Sequence, residues 1–354
     1  MTNVVPDQST APSTSLPAVF QRYQESIDSA LRDRLSDSTS FLYSILRYAM
    51  GWSDESGAPV SAPQGKALRP TLCLLTCEAV CGEYKRALPP ATSLELIHNF
   101  SLIHDDIQDR DEYRRHRPTV WKVWGEPIAL TAGNVMRIVA DTSIEGQRGD
   151  SVSAVDIVTV NRVLTEASLE MIEGQYLDVA FEGRSDIGMK SYLDMISRKT
   201  GALIRTPMHV GAIMGTDDSE VIESFRECGR SLGYVFQIRD DVLGIWSQEK
   251  TTGKPVGADI RRKKNSLPIV HAMSQADGTK KRILDGIYAQ ETVEDTDVDA
   301  VLDIMDTLGT EAYANSLAAE HCDRALERLA GVELPSGARA DIEELVTFLL
   351  VREH

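Results

Sequence analysis

The chain has 354 residues, 42% of them hydrophobic and 26% charged, with a formal net charge of −17. This composition excludes collagen-like, mucin-like and wholly disordered proteins. The charge argues against nonspecific binding to nucleic acid or anionic lipid, but a local cluster of Lys and Arg can still reverse the field inside a cleft.

Residues 1–15 are polar and rich in Ser, Thr and Pro, without the basic and apolar segments of a secretory signal. They predict a disordered tail and a cytoplasmic protein. From residue 15 to 50, apolar residues recur at spacings of three and four, the period of a helix packed on one side. The stretch 52–65, rich in Gly, Pro and Ser, predicts a mobile loop. Helical spacing returns over 66–82, 88–108, 126–146, 153–181, 190–214 and 218–245, then in shorter pieces from 266 to 352. No run alternates as a strand would, and no apolar stretch reaches the ~18–20 residues that span a bilayer. The expectation is an all-α protein, with one large helical bundle over 16–354.

Of the five cysteines, Cys73, Cys77 and Cys81 recur every four residues, stacked on one helical stripe. With no CxxC pair or histidine beside them, they read as packing residues rather than a soft-metal site. An odd thiol count in a chain without an export signal predicts reduced cysteines.

The densest chemical signal is HNFSLIHDDIQDRDEYRRHRPTVW, residues 98–121. On a helix, Asp105 and Asp109 share a face, with Ser101 and His98 one and two turns back. Stacked carboxylates repel unless a cation compensates, and an all-oxygen set suits Mg²⁺ better than Zn²⁺. The alternative is a solvated acidic helix end, against which stand the apolar FSLIH before it and Arg114–Arg115 after it. A second pair follows in GYVFQIRDDVLGIW, where Gln237, Asp240 and Asp241 again share one helix face. Two dyads on two helices can be aimed into one cavity of a bundle.

The complementary cations are Lys66 and Arg69 in GKALRP, Arg114 and Arg115, Lys199 before Thr200 in SRKTGAL, Lys254 in TTGKPVG, and Lys264. Such charges suit diphosphates, which a guanidinium can grip through two oxygens. Neither Gly-Lys pair is a Walker A loop, since the upstream glycine is missing and Ala67 or Pro255 follows the lysine.

In this order, GKALRP, HDDIQD with RRHRPT, EGQYLD, SRKTGAL, FQIRDD and TGKPVGADI, the chain resembles the trans-isoprenyl diphosphate synthases of the polyprenyl synthetase family. The resemblance runs from about residue 20 to the C-terminus. It implies a helical bundle around a deep central cavity, usually homodimeric. It also implies head-to-tail condensation of isopentenyl diphosphate with an allylic diphosphate, on three Mg²⁺ ions. By the same resemblance, Asp105, Asp109 and Asp240 bind the metal, supported by Asp106 and Asp241. Arg114, Lys199, Lys254 and Lys264 hold the allylic diphosphate, while Thr200 and Gln237 line the reacting carbons. Lys66, Arg69, His98 and Arg115 hold isopentenyl diphosphate, and Gln175 and Asp178 orient the lysines.

Three positions depart from the family pattern. Gly244 stands for a third Asp in DDVLG, a position the family treats as dispensable, so Gly244→Asp is expected to change little. His116 stands where Gly is common after the arginine pair, and Asn134 replaces a frequent Asp. A class I terpene cyclase would need an Asn-Ser-Glu type second metal motif, which is missing here. A non-catalytic synthase subunit would have lost aspartates that this chain keeps. The residue five before Asp105, ~7–8 Å along the helix axis, is Phe100, next to the small Ser101. An aromatic there resembles the family's tunnel floor. One aromatic with no insertion in DDIQD points to geranylgeranyl diphosphate, with farnesyl diphosphate as the alternative.

Overall fold

The computed structural model describes residues 16–36, 40–60, 65–145, 153–247 and 256–352. The expected tail, 1–15, and Lys254 lie outside them. Among the described residues the fold is all-α, as the periodicity predicts. In chain order the helices are α1 (Ala18–Ser36), α2 (Phe41–Ala49), α3 (Leu68–Cys81), α4 (Leu88–Gln108), α5 (Val120–Trp124), α6 (Glu126–Glu145), α7 (Ala154–Phe181), α8 (Met189–Ile196), α9 (Ala202–Gly215) and α10 (Ser219–Trp246). The C-terminal set is α11 (Ala258–Arg261), α12 (Leu267–Gln275), α13 (Gly278–Ala289), α14 (Asp295–Thr307), α15 (Thr310–Leu329) and α16 (Ser336–Val351). No helix among the described residues is long and apolar enough to cross a membrane.

Helix α4 runs through the centre, with α6 along one side and α3 on another. It starts with Pro89 and Pro90 in its first turn, where a missing N–H breaks no helical bond. Leu94, Leu96, Ile97, Phe100 and Ile103 are all buried, and so are Glu95, Asn99 and Asp106. A helix buried on every face is a core element, yet this one ends in aspartates. Helix α10 is the second axis, packed against α9 and α15. Its start is capped by Asp218, whose Oδ1 accepts from the N–H groups of Glu220 and Val221.

Between α8 and α9 lies a single π-helical turn, Ser197–Gly201, the kind of irregularity that gathers at functional sites. Two glycines clasp it. A Cβ on Gly174 of α7 would lie 2.6 Å from Lys199 Cα, and one on Gly233 of α10 would lie 2.7 Å from Gly201 Cα. No side chain fits at either place, so the backbone of the turn is fixed from both sides.

Two features differ from the reading of the sequence. A short antiparallel hairpin pairs Tyr113–Arg114 with Arg117–Pro118, too short to show any alternation. Its turn residues, Arg115 and His116, have φ of 50° and 63°. His116 therefore adopts the left-handed conformation a glycine would take, at a cost of roughly 1–2 kcal/mol. The loop expected to be mobile is in part a compact turn. Asp54 Oδ1 accepts from the N–H groups of Ser56 and Ala58 at 2.9 Å, and Arg117 Nη2 donates to Ser53 O at 2.7 Å. Cys73 and Cys77 are buried in the core, whereas Cys81 is exposed at the end of α3.

Because Gly174 meets backbone rather than a movable side chain, Gly174→Ala is expected to destabilise the fold by ~1–3 kcal/mol. Urea denaturation should show a lower midpoint. An unchanged midpoint would mean that the π turn has room for a methyl group.

Candidate active site

Lys66, Arg69, His98 and Arg115 line one cavity of about 200 Å³, together with Glu95 and Arg352. Ala67, at φ 48°, turns the chain into α3, so Lys66 and Arg69 flank the start of that helix. The start of α3 itself lines the cavity, and the unpaired N–H groups of a helix N-terminus add positive potential. The Nε of Arg69 is buried without a hydrogen-bond partner among the described residues. Burial pushes Arg69 down to about 10, and Glu95 partly restores it. Burial likewise holds His98 well below its ordinary value, reinforced by Arg69, Arg115 and Arg114. The imidazole is thus neutral, a hydrogen-bonding group among fixed cations. Glu95, 7% exposed, is pushed up by burial and answered by Arg69, Asn99 and Arg115. The balance is positive, as a cavity for a diphosphate requires.

At the C-terminal end of α4 the carboxylates take different roles. Asp106 is buried and tied to Arg114, whose Nε donates to its Oδ1 at 2.8 Å and whose Nη2 lies 2.7 Å from the same oxygen. The hairpin thus delivers Arg114 to the acidic end and Arg115 to the cationic cavity. Asp105 and Asp109 share the other side. Asp105 is pushed up to about 6, first by burial and then by Asp109, against the pull of Lys199. Lys199 donates to Asp178 Oδ2 on α7, and Lys264 Nζ lies 3.8 Å from Asp109 Oδ2. Gln175 Nε2 donates to Gln108 Oε1 at 2.7 Å. The EGQYLD segment therefore braces both Lys199 and the end of α4.

The second dyad splits in the same way. Asp241 is 5% exposed and accepts at every side: from Tyr192 Oη, from Leu267 N at 2.7 Å and from Gln237 Nε2 at 2.7 Å. Burial pushes it up to about 7, and the neighbouring Asp259 adds to this. Gln237 Oε1 in turn accepts from Thr200 Oγ1 at 2.5 Å, which fixes both expected substrate-lining groups. Asp240 faces outward, its side chain 56% exposed, and accepts from Arg352 Nη2 at 2.8 Å.

Among the described residues, no three His, Cys, Asp or Glu side chains already converge on one point. The donors instead form a pair on α4 and a single carboxylate on α10. The pair is all oxygen, and burial and the like charge of Asp109 both oppose ionisation of Asp105. A hard divalent cation relieves both, so the residues fit such an ion.

Three contributors escaped the reading of the sequence. Arg352 lies 112 residues from Asp240, in a C-terminal stretch with no motif. Glu95 looks like one polar residue in an apolar run. Asp259 stands where a side chain at Gly244 would go: an added Cβ collides with its carboxylate. Gly244→Asp therefore requires the Asp259 carboxylate to move aside. Phe100, 5% exposed, meets His104 edge-on with centroids 5.5 Å apart, and Ser101 Oγ donates to His98 O.

A family model described as Polyprenyl synthetase matches residues 52–305. The (2E,6E)-farnesyl diphosphate synthase of Mycobacterium tuberculosis is 34% identical over 98% of this chain and 96% of its own. The crystal structure of a polyprenyl synthetase from Streptomyces coelicolor aligns with a TM-score of 0.86 at 31% identity, covering 94% of this chain and 99% of that one. A geranylgeranyl pyrophosphate synthetase structure from Pyrococcus horikoshii aligns at 0.84 with 36% identity, over 95% and 99% of the two chains.

His98 stays neutral in the fold while the unfolded imidazole takes up a proton near pH ~6.5. Stability should therefore fall as pH drops through that value, by up to ~1.4 kcal/mol per pH unit for this group. His209 and His321, both pushed down to about 4 mainly by burial, act in the same direction. His98→Gln should remove only its own share, so wild type and variant should diverge below pH ~6.5 in urea titrations. Parallel curves would mean that His98 is charged in the fold.

Proposed function

The chain belongs to the polyprenyl synthetase family and is a prenyltransferase acting on isoprenoid diphosphates; we propose that it condenses isopentenyl diphosphate with allylic diphosphates, in a Mg²⁺-dependent reaction, to give geranylgeranyl diphosphate. The observation that carries this reading is the separation of charge along α4. A cationic cavity lies at Glu95 and His98, and a carboxylate pair lies at Asp105 and Asp109. Two diphosphates need two such sites, one with metal and one without. A terpene cyclase would have no use for the first.

In this reading Asp105, Asp109 and Asp240 hold three Mg²⁺ ions, which neutralise charge on the departing diphosphate when bound. Arg114, Lys199, Lys254 and Lys264 add fixed positive charge around that diphosphate. The charge on Lys199 is held in place beforehand, because Asp178, Asp105 and Asp109 outweigh the burial that opposes it. Thr200 Oγ1 and Gln237 Oε1 present fixed oxygen dipoles toward the allylic carbons, where positive charge develops. Lys66, Arg69, His98 and Arg115 orient isopentenyl diphosphate so that its double bond meets those carbons. The proton is then lost to the released diphosphate. Apolar walls keep out water, which would trap the cation as an alcohol.

The largest apolar cluster joins residues 19–235 to residues 322–349, with two smaller clusters built mainly from the segment between, which supports reading 16–354 as one domain. Leu169, Ile172 and Tyr176 form an exposed apolar stripe on α7, and Leu130 and Ile138 are exposed on α6. This stripe supports the homodimer, with a second copy covering it.

The deciding experiment is chromatography of products from isopentenyl diphosphate with dimethylallyl, geranyl or farnesyl diphosphate, in Mg²⁺ and in excess EDTA. Twenty-carbon product that disappears in EDTA is expected; a fifteen-carbon end product overturns the length assignment. Arg69→Ala should raise KM for isopentenyl diphosphate roughly ten- to hundredfold, the loss of a charge-assisted hydrogen bond, with little change for the allylic partner. Equal effects on both substrates would show that the two sites are assigned wrongly. Phe100→Ala should lengthen the product and Ser101→Phe shorten it. An unmoved distribution would place the tunnel floor elsewhere.

A further inference from the structure

Arg352 stands between the two halves of the site. It follows the last turn of α16, and its side chain is 9% exposed. Its guanidinium lies over the ring of Phe236 at 3.8 Å, and Nη2 donates to Phe236 O at 3.0 Å and to Asp240 Oδ1 at 2.8 Å. On its other side it lines the cationic cavity beside Lys66 and Arg69, and its charge opposes theirs. Its Nε is buried with no partner among the described residues. Its carbonyl oxygen accepts from Arg239 Nη2 at 3.4 Å.

We propose that Arg352 is exchanged between Asp240 and the diphosphate of isopentenyl diphosphate: it holds Asp240 while no cation is there, and turns to the diphosphate once a divalent ion takes that carboxylate. The inference rests on the function proposed above, which makes Asp240 a metal ligand and the cavity the isopentenyl site. Its physical basis is competition for one carboxylate. Two unit charges 4 Å apart interact by ~4 kcal/mol at an effective dielectric of 20, so a dication at Asp240 and Arg352 beside it repel. A guanidinium has five N–H donors, and the Arg352 bonds to Phe236 and Asp240 are both made through Nη2. Once Asp240 is lost, the nearest place for that charge is the cavity it already lines. There it would join Lys66, Arg69 and Arg115, and only a bound anion makes such a gathering stable. Metal and isopentenyl diphosphate thus promote each other's binding, and the coupling is reciprocal.

The test is a calorimetric titration of isopentenyl diphosphate in metal-free buffer with EDTA, where removing a metal ligand has no effect of its own. Asp240→Asn frees Arg352, so it should tighten metal-free binding by roughly five- to hundredfold, the usual range of coupling between sites. Arg352→Gln should weaken binding, and Asp240→Asn combined with Arg352→Gln should bind no better than Arg352→Gln alone. In a second readout, the free Mn²⁺ signal in electron paramagnetic resonance should show tighter Mn²⁺ binding to Arg352→Gln than to wild type. If Asp240→Asn leaves metal-free affinity unchanged or weaker, the exchange is refuted and the pair only anchors the C-terminus. If Arg69→Ala also leaves that affinity unchanged, the isopentenyl site itself is misplaced and the exchange falls with it.

Discussion

A buried charge must be answered by an opposite one, and helix α4 turns that constraint into an active-site plan. It is surrounded by apolar neighbours, yet from Glu95 to its cap at Asp109 it carries one glutamate, one titratable imidazole in the cavity and three aspartates. Glu95 is answered by Arg69 and Arg115, and Asp106 by Arg114. Asp105 and Asp109 have Lys199 and Lys264 nearby, but Lys199 is already bonded to Asp178. Negative charge therefore remains at the C-terminal end of the helix, and positive charge gathers about two turns back, at Glu95 and His98. The proposed function uses this separation, with a metal-bound diphosphate at the first place and a metal-free one at the second.

The remaining elements of the site hold these charges in place. The hairpin uses a tight turn with two left-handed residues to send Arg114 and Arg115 to different halves of the site, although they are adjacent in the chain. The π turn, clasped by Gly174 and Gly233, sets Lys199 toward the acidic end and Thr200 toward Gln237. Helix α10 then repeats the device of α4. Of two adjacent aspartates, one is buried among donors and the other left facing outward. In both dyads the buried member is held by donors, which leaves its neighbour more accessible to a ligand.

The helical period predicted the elements because each helix buries an apolar face, in one large cluster and two smaller ones, and period is the signal that such burial writes along a chain. The paired aspartates and the GKALRP, SRKT and RDD segments were legible because local spacing puts their members on one face or in one turn. Arg352 was not legible. Its partner is 112 residues away, and only the meeting of α16 with α10 brings them together. Glu95 was hidden for the opposite reason. Its partners Arg69 and Arg115 were recognised, but nothing local says that a carboxylate in an apolar run must face them. The hairpin was missed because two-residue strands carry no periodicity.

Gly244 shows how a local rule can mislead where the structure supplies the missing group. As a sequence feature it is an absent third aspartate on the face of Asp240 and Asp241. In space, the carboxylate of Asp259 from α11 fills the volume that a side chain at 244 would need. Asp259 also lies close enough to help raise Asp241, Tyr192 and Tyr288. A third carboxylate thus lies near Asp241, carried by a different helix. An aspartate at 244 would add a fourth in a place with donors already committed: Tyr192, Leu267 and Gln237 all serve Asp241. The glycine leaves the space beside α10 that the Asp259 carboxylate occupies, so the missing aspartate and the added one are read together only in the fold.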